Sequence, residues 1–420
     1  MATPAIKPVS PMSAARFREV VAQELVPFLP GAELSKGTKP ASTGKGLVLK
    51  LGERAIGVRL DEATSDLLEI SRAQPFTIEE RRLVQRLLET VGKVARHCDE
   101  FFFPQALSAA VRQTIVTYLE YPSEALLLRV LTEFESLASQ TYEGHRIAAA
   151  IGLDEKSRSA GVKLEAIWGE DFGKVLTGSI ETMITVSPDG YIDQFRTLHT
   201  EANLAEAPHY ARTIAEWCTG KRLAITLNRN GEILLFREKT LVFAWRRGRW
   251  RHFAHPPILE QMETVRNKAL RACIYETCLD VSFGRSGGCI GVVRDKHKGM
   301  LKDIVNKADR IERGDSRKAQ VITQFLDQPE HKRLFTELPR RLRQAMAAID
   351  GALVLNHRGE VLAVGAIVKV ESGSDAGARK AAAKALARMG FGVKISADGG
   401  VVGFCGDGAG KDVKRVFEFG

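Results

Sequence analysis

Asp350-Gly351-Ala352-Leu353-Val354-Leu355-Asn356-His357-Arg358-Gly359-Glu360-Val361 is the stretch on which the reading of the fold turns. An apolar run opens behind a carboxylate and a glycine, turns at Asn356-His357-Arg358-Gly359 and returns through residues 361–370. Asn, Arg and Gly tolerate tight turn geometry and β-branched residues fill both flanks, so the spacing predicts a hairpin. Next, Ser372-Gly373-Ser374-Asp375-Ala376-Gly377 reads as a loop of small residues. Ala378-Arg379-Lys380-Ala381-Ala382-Ala383-Lys384-Ala385-Leu386-Ala387 reads as an alanine-rich helix opening on two cations. Backbone N–H groups at such a helix start, backed by Arg379 and Lys380, suit a phosphate. A last hairpin follows over 393–396 and 401–404, turned by Asp398-Gly399-Gly400.

This order of parts resembles the nucleotide-binding domain of the bacterial diadenylate cyclases, which join two ATP molecules into cyclic di-AMP. Asp350-Gly351-Ala352 matches the family's Asp-Gly-Ala motif. Gly377-Ala378-Arg379-Lys380-Ala381-Ala382-Ala383 stands where the family has Gly-Thr-Arg-His-Arg-Ala-Ala, with Lys380 for the histidine and Ala381 for the second arginine. Ser396-Ala397-Asp398 occupies the place of Ser-Glu-Glu. Gly287-Gly288-Cys289-Ile290-Gly291-Val292-Val293 is similar to the Gly-Ala-Leu-Ile-Val strand that precedes Asp-Gly-Ala. The likeness covers roughly Pro256 to Phe404.

The resemblance implies an α/β fold: a cyclase-like central mixed β-sheet flanked by helices, in which the Gly287 and Leu353 strands are central neighbours. It implies nucleotide contacts at Gly287, Gly288, Asp350, Gly351, Ala352, Leu353, Gly377, Ala378, Arg379, Lys380 and Ser396. In an active cyclase Asp350 would be the catalytic and metal-bearing carboxylate, with Mg or Mn as cofactor; a sensor needs no cofactor. Lys380 replaces a planar cation with a flexible point charge, and Ala381 supplies none. Removing one electrostatic donor costs on the order of 10²–10³ in rate. The resemblance therefore points to a sensor-type branch that binds an ATP-like or cyclic dinucleotide ligand in bacterial nucleotide signalling or defence, with a homo-oligomer among the partners it implies. Two alternatives stay open: an active diadenylate cyclase, and a nucleic-acid-binding or structural protein.

The chain has 420 residues, enough for two or three domains, and its hydrophobic fraction of 44% is ordinary for a soluble protein. No apolar run is long enough to cross a bilayer and no signal segment opens the chain, so a cytoplasmic protein without a membrane partner is expected. A net charge of +10 suits an anionic partner without choosing which. Of the six cysteines only Cys273 and Cys278 are close, at neither a CxxC nor a zinc spacing, which predicts free thiols.

Three regions are expected: an α-rich domain over 1–140, a β-rich segment over 141–255, and the cyclase-like domain over 256–420. The β-rich segment either completes the last domain's sheet or stands as a module of its own. Thr77 and Glu80 predict a capping box, followed by helices over 105–121 and 123–138. Residues 35–46 read as a flexible loop, because Lys39 and Gly46 break the phosphate-loop spacing. Strands are expected over 147–153, 162–168, 181–186 and 191–198, and a meander over 223–245. The run Trp245-Arg246-Arg247-Gly248-Arg249-Trp250-Arg251-His252 interleaves cations with aromatics. A hairpin with inward tryptophans is preferred there over a nucleic-acid face. Apolar spacing from Ile258 to Ile274 predicts one long helix, with others over 300–311, 319–326 and 338–348. In the last, Arg340, Arg341 and Arg343 read as a solvated face within reach of an anion.

Overall fold

The computed structural model describes residues 12–40, 46–59, 66–98, 103–168, 170, 173, 181–199, 204–311, 316–327, 334–370, 377–406 and 412–420. The protein is mixed α/β, with mixed sheets flanked by helices. It divides into two compact units, Met1–Thr200 with Thr213–Ala254, and Glu201–Arg212 with His255–Gly420.

In the first unit the capping box forms. Glu80 N donates to Thr77 Oγ1 at 3.1 Å and Thr77 N to Glu80 Oε2 at 2.8 Å, which starts the helix Ile78–His97. The helices Phe103–Leu119 and Glu124–Leu137 follow. A four-stranded sheet orders Glu33–Pro40, Asp66–Ser71, Ala55–Val58 and Val48–Lys50. Residues 35–40 are therefore strand, against the loop expected there, because Glu33, Leu34 and Thr38–Pro40 pair with Asp66–Ser71 across a bulge and tertiary pairing outweighs weak strand propensity. Residues 41–45 of that expected loop lie outside the described residues.

A seven-stranded sheet runs Arg249–His252, Thr240–Arg246, Ile233–Arg237, Leu223–Leu227, Ala149–Leu153, Thr182–Val186, Ile192–Thr197. It shares one core with the helices: Leu127, Phe134, Ile225 and Phe243 are fully buried together. The strand expected over 162–168 is instead a bridge at Lys163 and a short helix, Glu165–Trp168. Leu164 and Ile167 both reach the core, three residues apart, a spacing a helical turn satisfies and strand alternation does not. The Trp245–His252 run is the expected hairpin, with Arg247 (φ 54°) and Gly248 (φ 75°) at its tip and Trp250 buried. Of its arginines, Arg246 and Arg249 are engaged internally: Arg246 Nε binds Glu232 Oε1 at 2.6 Å and Arg249 Nη2 binds Gln23 Oε1 at 3.1 Å.

In the second unit six strands are ordered Val361–Ala366, Ala352–Asn356, Gly288–Val293, Gly390–Ile395, Val401–Gly406, Val413–Phe419. Gly288–Val293 and Ala352–Asn356 are parallel neighbours, with Ile290 opposite Leu353, and every other pairing is antiparallel. The helix Ala378–Arg388 crosses one face closely. A Cβ on Gly392 would fall 2.0 Å from Ala383 O, so only glycine fits beneath it.

The long helix expected over 258–274 is two, His255–Gln261 and Lys268–Phe283. Asn267 caps the second, accepting from Leu270 N at 3.1 Å, while Met262 and Val265 are buried in the turns between. The helix expected over 300–311 stops at Ile304.

Arg340 and Arg343 do not form a solvated face; both are buried. Arg340 holds Asp280 with two bonds of 2.7 and 2.8 Å and donates to Leu204 O and Ala207 O at 2.6 Å. Asp280 also accepts from His209 N at 2.7 Å, and Arg343 binds Glu276 at 2.8 Å. A buried guanidinium must find carboxylate and carbonyl acceptors, and these come from the Lys268–Phe283 helix and the 204–212 segment.

Candidate functional site: one edge of the six-stranded sheet

Strand directions bring the start of Gly288–Val293, the start of Ala352–Asn356 and the end of Gly390–Ile395 out on one side, since Gly288 lies opposite Ile395 and Ile290 opposite Leu353. Arg379, in the first turn of Ala378–Arg388, reaches the same side. A Cβ on Gly287 (φ 70°) would lie 2.8 Å from Arg379 Nη1 and 3.1 Å from Ala397 N. The bare backbone of Gly287 is thus what admits the guanidinium.

Arg379 Nη2 stands 3.9 Å from Asp350 Oδ1, with side chains 38% and 92% exposed. At that distance and exposure the pair is weak, and an incoming anion can take the guanidinium at little cost. Gly351 (φ 104°) presses on the neighbouring strand, where an added Cβ would meet Gly365 C at 2.5 Å. That strand end is fixed in turn. Lys318 Nζ donates to Gly365 O at 3.0 Å and also binds Asp309, whose Oδ2 accepts from Ile367 N at 3.0 Å.

Among the described residues, nothing crowds the α-carbon of Gly377 (φ 74°), which precedes the helix, and no side chain caps the helix start. Ala378 is exposed and Lys380 half-buried, and the N–H groups of Lys380 and Ala381 turn back to Gly377 O at 3.1 Å. Ser396 is half-buried in the turn after Gly390–Ile395, with its N–H on Gly400 O at 2.8 Å. Arg285 and Ser282 both donate to carbonyls of that turn, at Asp398 and Gly399.

The structure thus brings Asp350, Gly351, Gly287, Arg379 and the Ser396 turn to one edge. It places Gly288, Ala352 and Leu353 within the sheet, where all three are buried and serve packing: Gly288 leaves room for Ala347 O, which a Cβ would meet at 2.4 Å. The Ser372–Ala376 loop lies outside the described residues. Gly365 and the Ala397 N–H were missed by sequence reading. A second glycine late in the return strand was the available signal for the first, and a backbone amide carries none.

Burial pushes the Cys289 thiol up to about 12, against the opposing pull of Arg379, so it stays a protonated thiol beneath the edge and offers no nucleophile. Among the described residues no group of three His, Cys, Asp or Glu side chains forms a Mg or Mn site. Asp350 offers one carboxylate, and the Arg379 guanidinium already supplies it with positive charge. The arrangement can hold an anion between a guanidinium, helix-start N–H groups and glycine backbone.

No family model matches the sequence, and no curated protein matches it.

Proposed function

We propose that the second unit is a nucleotide-binding sensor domain of diadenylate-cyclase-like type, which takes an ATP-like or cyclic dinucleotide ligand at the Gly287, Asp350 and Arg379 edge and turns it over little or not at all. One observation carries the reading: a loosely paired guanidinium lies over a bare glycine at the mouth of two parallel strands, beside an uncapped helix start. Binding needs a shaped edge and a few donors. Turnover also needs charge stabilisation that grows in the transition state. Here the position of the second motif arginine is Ala381, buried and without a donor, and among the described residues the charged partner of Asp350 is a cation, Arg379. In the Trp245–His252 run, on which a nucleic-acid partner would rest, Arg246 and Arg249 are held in internal pairs.

The test is to titrate the full chain with ATP and with cyclic di-AMP by calorimetry, and separately to incubate it with ATP and Mg or Mn while following dinucleotide product. Binding that Arg379→Ala weakens at least tenfold, with no product above background, is the expected result. Product formation abolished by Asp350→Asn would replace the sensor with an active cyclase, and absence of any binding would remove the nucleotide altogether.

A further inference from the structure

We infer that the two units carry two copies of one module, of which only the second keeps an open ligand edge; the ligand half of this rests on the nucleotide reading above. In each unit a central strand, Ala149–Leu153 or Gly288–Val293, is parallel to the next long strand in sequence, Thr182–Val186 or Ala352–Asn356. That strand turns back as Ile192–Thr197 or Val361–Ala366. A helix follows, Arg212–Trp217 or Ala378–Arg388. Next comes a strand antiparallel to the central one on its other side, Leu223–Leu227 or Gly390–Ile395. Two antiparallel strands complete the match, Ile233–Arg237 with Thr240–Arg246, and Val401–Gly406 with Val413–Phe419. The first copy adds only Arg249–His252 at its edge.

A common strand order can arise twice, so the register is the sharper criterion. Ile151 faces Ile184 and Ile225, as Ile290 faces Leu353 and Val393. The next residue is glycine in both, and in both the helix crosses it. A Cβ on Gly152 would lie 2.8 Å from the Trp217 ring, and one on Gly291 2.7 Å from Leu386 Cδ1. The first hairpins close alike, Ser187 N on Tyr191 O at 2.9 Å and Asn356 N on Glu360 O at 3.0 Å, each over a left-handed glycine, Gly190 or Gly359. So do the next, Asn228 N on Glu232 O at 2.9 Å and Ser396 N on Gly400 O at 2.8 Å, over Gly231 or Gly399. Phe236 and Phe404 occupy the same register position, opposite Ala224 and Gly392.

This register assigns Glu181-Thr182-Met183 to the place of Asp350-Gly351-Ala352, Ala148-Ala149 to that of Gly287-Gly288, and Asn228 to that of Ser396. The first copy keeps a carboxylate at Glu181 but has side chains where the second has bare backbone. It also roofs its turn: a Cβ on Gly231 would meet Ala138 O at 2.7 Å and Arg146 Nη1 at 3.0 Å, and Asn228 and Glu232 are buried. The tip residues are exposed in both turns, Arg229 and Asn230 like Ala397 and Asp398, but the places of Asn228 and Glu232 are only half-buried in the second copy, at Ser396 and Gly400.

Calorimetric stoichiometry on the full chain tests this, with ATP as the probe. The expected result is at most one ligand per chain, weakened at least tenfold by Arg379→Ala and unchanged by Glu181→Ala. Two ligands per chain, or one that Glu181→Ala removes and Arg379→Ala spares, overturns the inference while nucleotide binding stands. Absence of binding to either ATP or cyclic di-AMP overturns the nucleotide reading instead. The closed first edge is then judged by amide hydrogen exchange, where buried Asn228 should exchange at least tenfold more slowly than half-buried Ser396, and equal rates would sink it.

Discussion

Two aspartate–arginine pairs in the second unit differ in almost every physical respect. Asp280 and Arg340 meet at 2.7 Å with side chains 0% and 5% exposed, while Asp350 and Arg379 stand 3.9 Å apart at 92% and 38%. The first pair has every neighbour it needs from its own unit. The second is loosely paired and exposed, so its charges are available. An arginine's role follows from what else its guanidinium touches, and the basic helix read as a solvated face is the one in which Arg340 and Arg343 are buried against Asp280 and Glu276.

The contrast breaks most visibly at Arg340. Arg340→Ala leaves Asp280 charged and buried, and removing one partner of such a pair costs about 3–5 kcal/mol. The urea midpoint should fall accordingly with unchanged slope; a loss below about 1 kcal/mol would mean that the pair is no more structural than its exposed counterpart. Replacing both partners together, Asp280→Leu with Arg340→Met, should recover much of the loss, because no charge is stranded.

Next in size is Gly351→Ala. It must place a methyl against Gly365 in a left-handed backbone, and about 1–3 kcal/mol of stability should go with it. Thermal melting checks this, and an unchanged melting temperature would show that the edge tolerates a side chain.

A smaller effect is expected at His209, beside the buried pair. Burial first, then Arg341, Arg212, Arg340 and Arg343, lower its pKa to about 4. Folded His209 is therefore neutral where the unfolded chain takes up a proton near the ordinary 6.5. Its contribution is fully present above that value and is lost as pH falls towards 4. The melting temperature of the wild type should drop more steeply than that of His209→Gln across this window, and parallel profiles would contradict the assignment.

Least of all should happen to stability at the exposed pair. Asp350→Ala and Arg379→Ala should each stay within about 1 kcal/mol of wild type. That leaves any change in nucleotide affinity free of a folding effect, and a large drop in urea midpoint would move this pair into the structural class.

Local elements of both units could be read from residues alone. The hairpin after Asp350 was legible because Asn356 and Gly359 have few other uses at that spacing, and the capping box was legible because Thr77 and Glu80 act locally. What stayed hidden depends on distant partners. Nothing in Arg340-Arg341-Leu342-Arg343 tells that Asp280 and Glu276 wait on another helix. The strand Glu33–Pro40 contains Gly37 and Pro40 and is a strand only because Asp66–Ser71 lies beside it. The duplicated module was hidden for a related reason. Most positions the copies share are those where backbone geometry leaves no choice, Gly152 with Gly291 and the turn glycines, while the remaining side chains have diverged. At the candidate site, glycines and Arg379 were visible in the motif, but their separation from the buried Gly288, Ala352 and Leu353 required the pleat of the sheet.

The 204–212 segment has a practical corollary for anyone who would cut the chain. Two acceptors of the Arg340 guanidinium, Leu204 O and Ala207 O, precede most of the meander of the first unit in sequence, and His209 N completes the shell of Asp280. A fragment beginning at His255 would leave two guanidinium N–H groups stranded in a site built to exclude water. The second unit is therefore not a suffix of the gene. A transplantable version would carry the 204–212 peptide with it, by circular rearrangement or as a peptide added in trans.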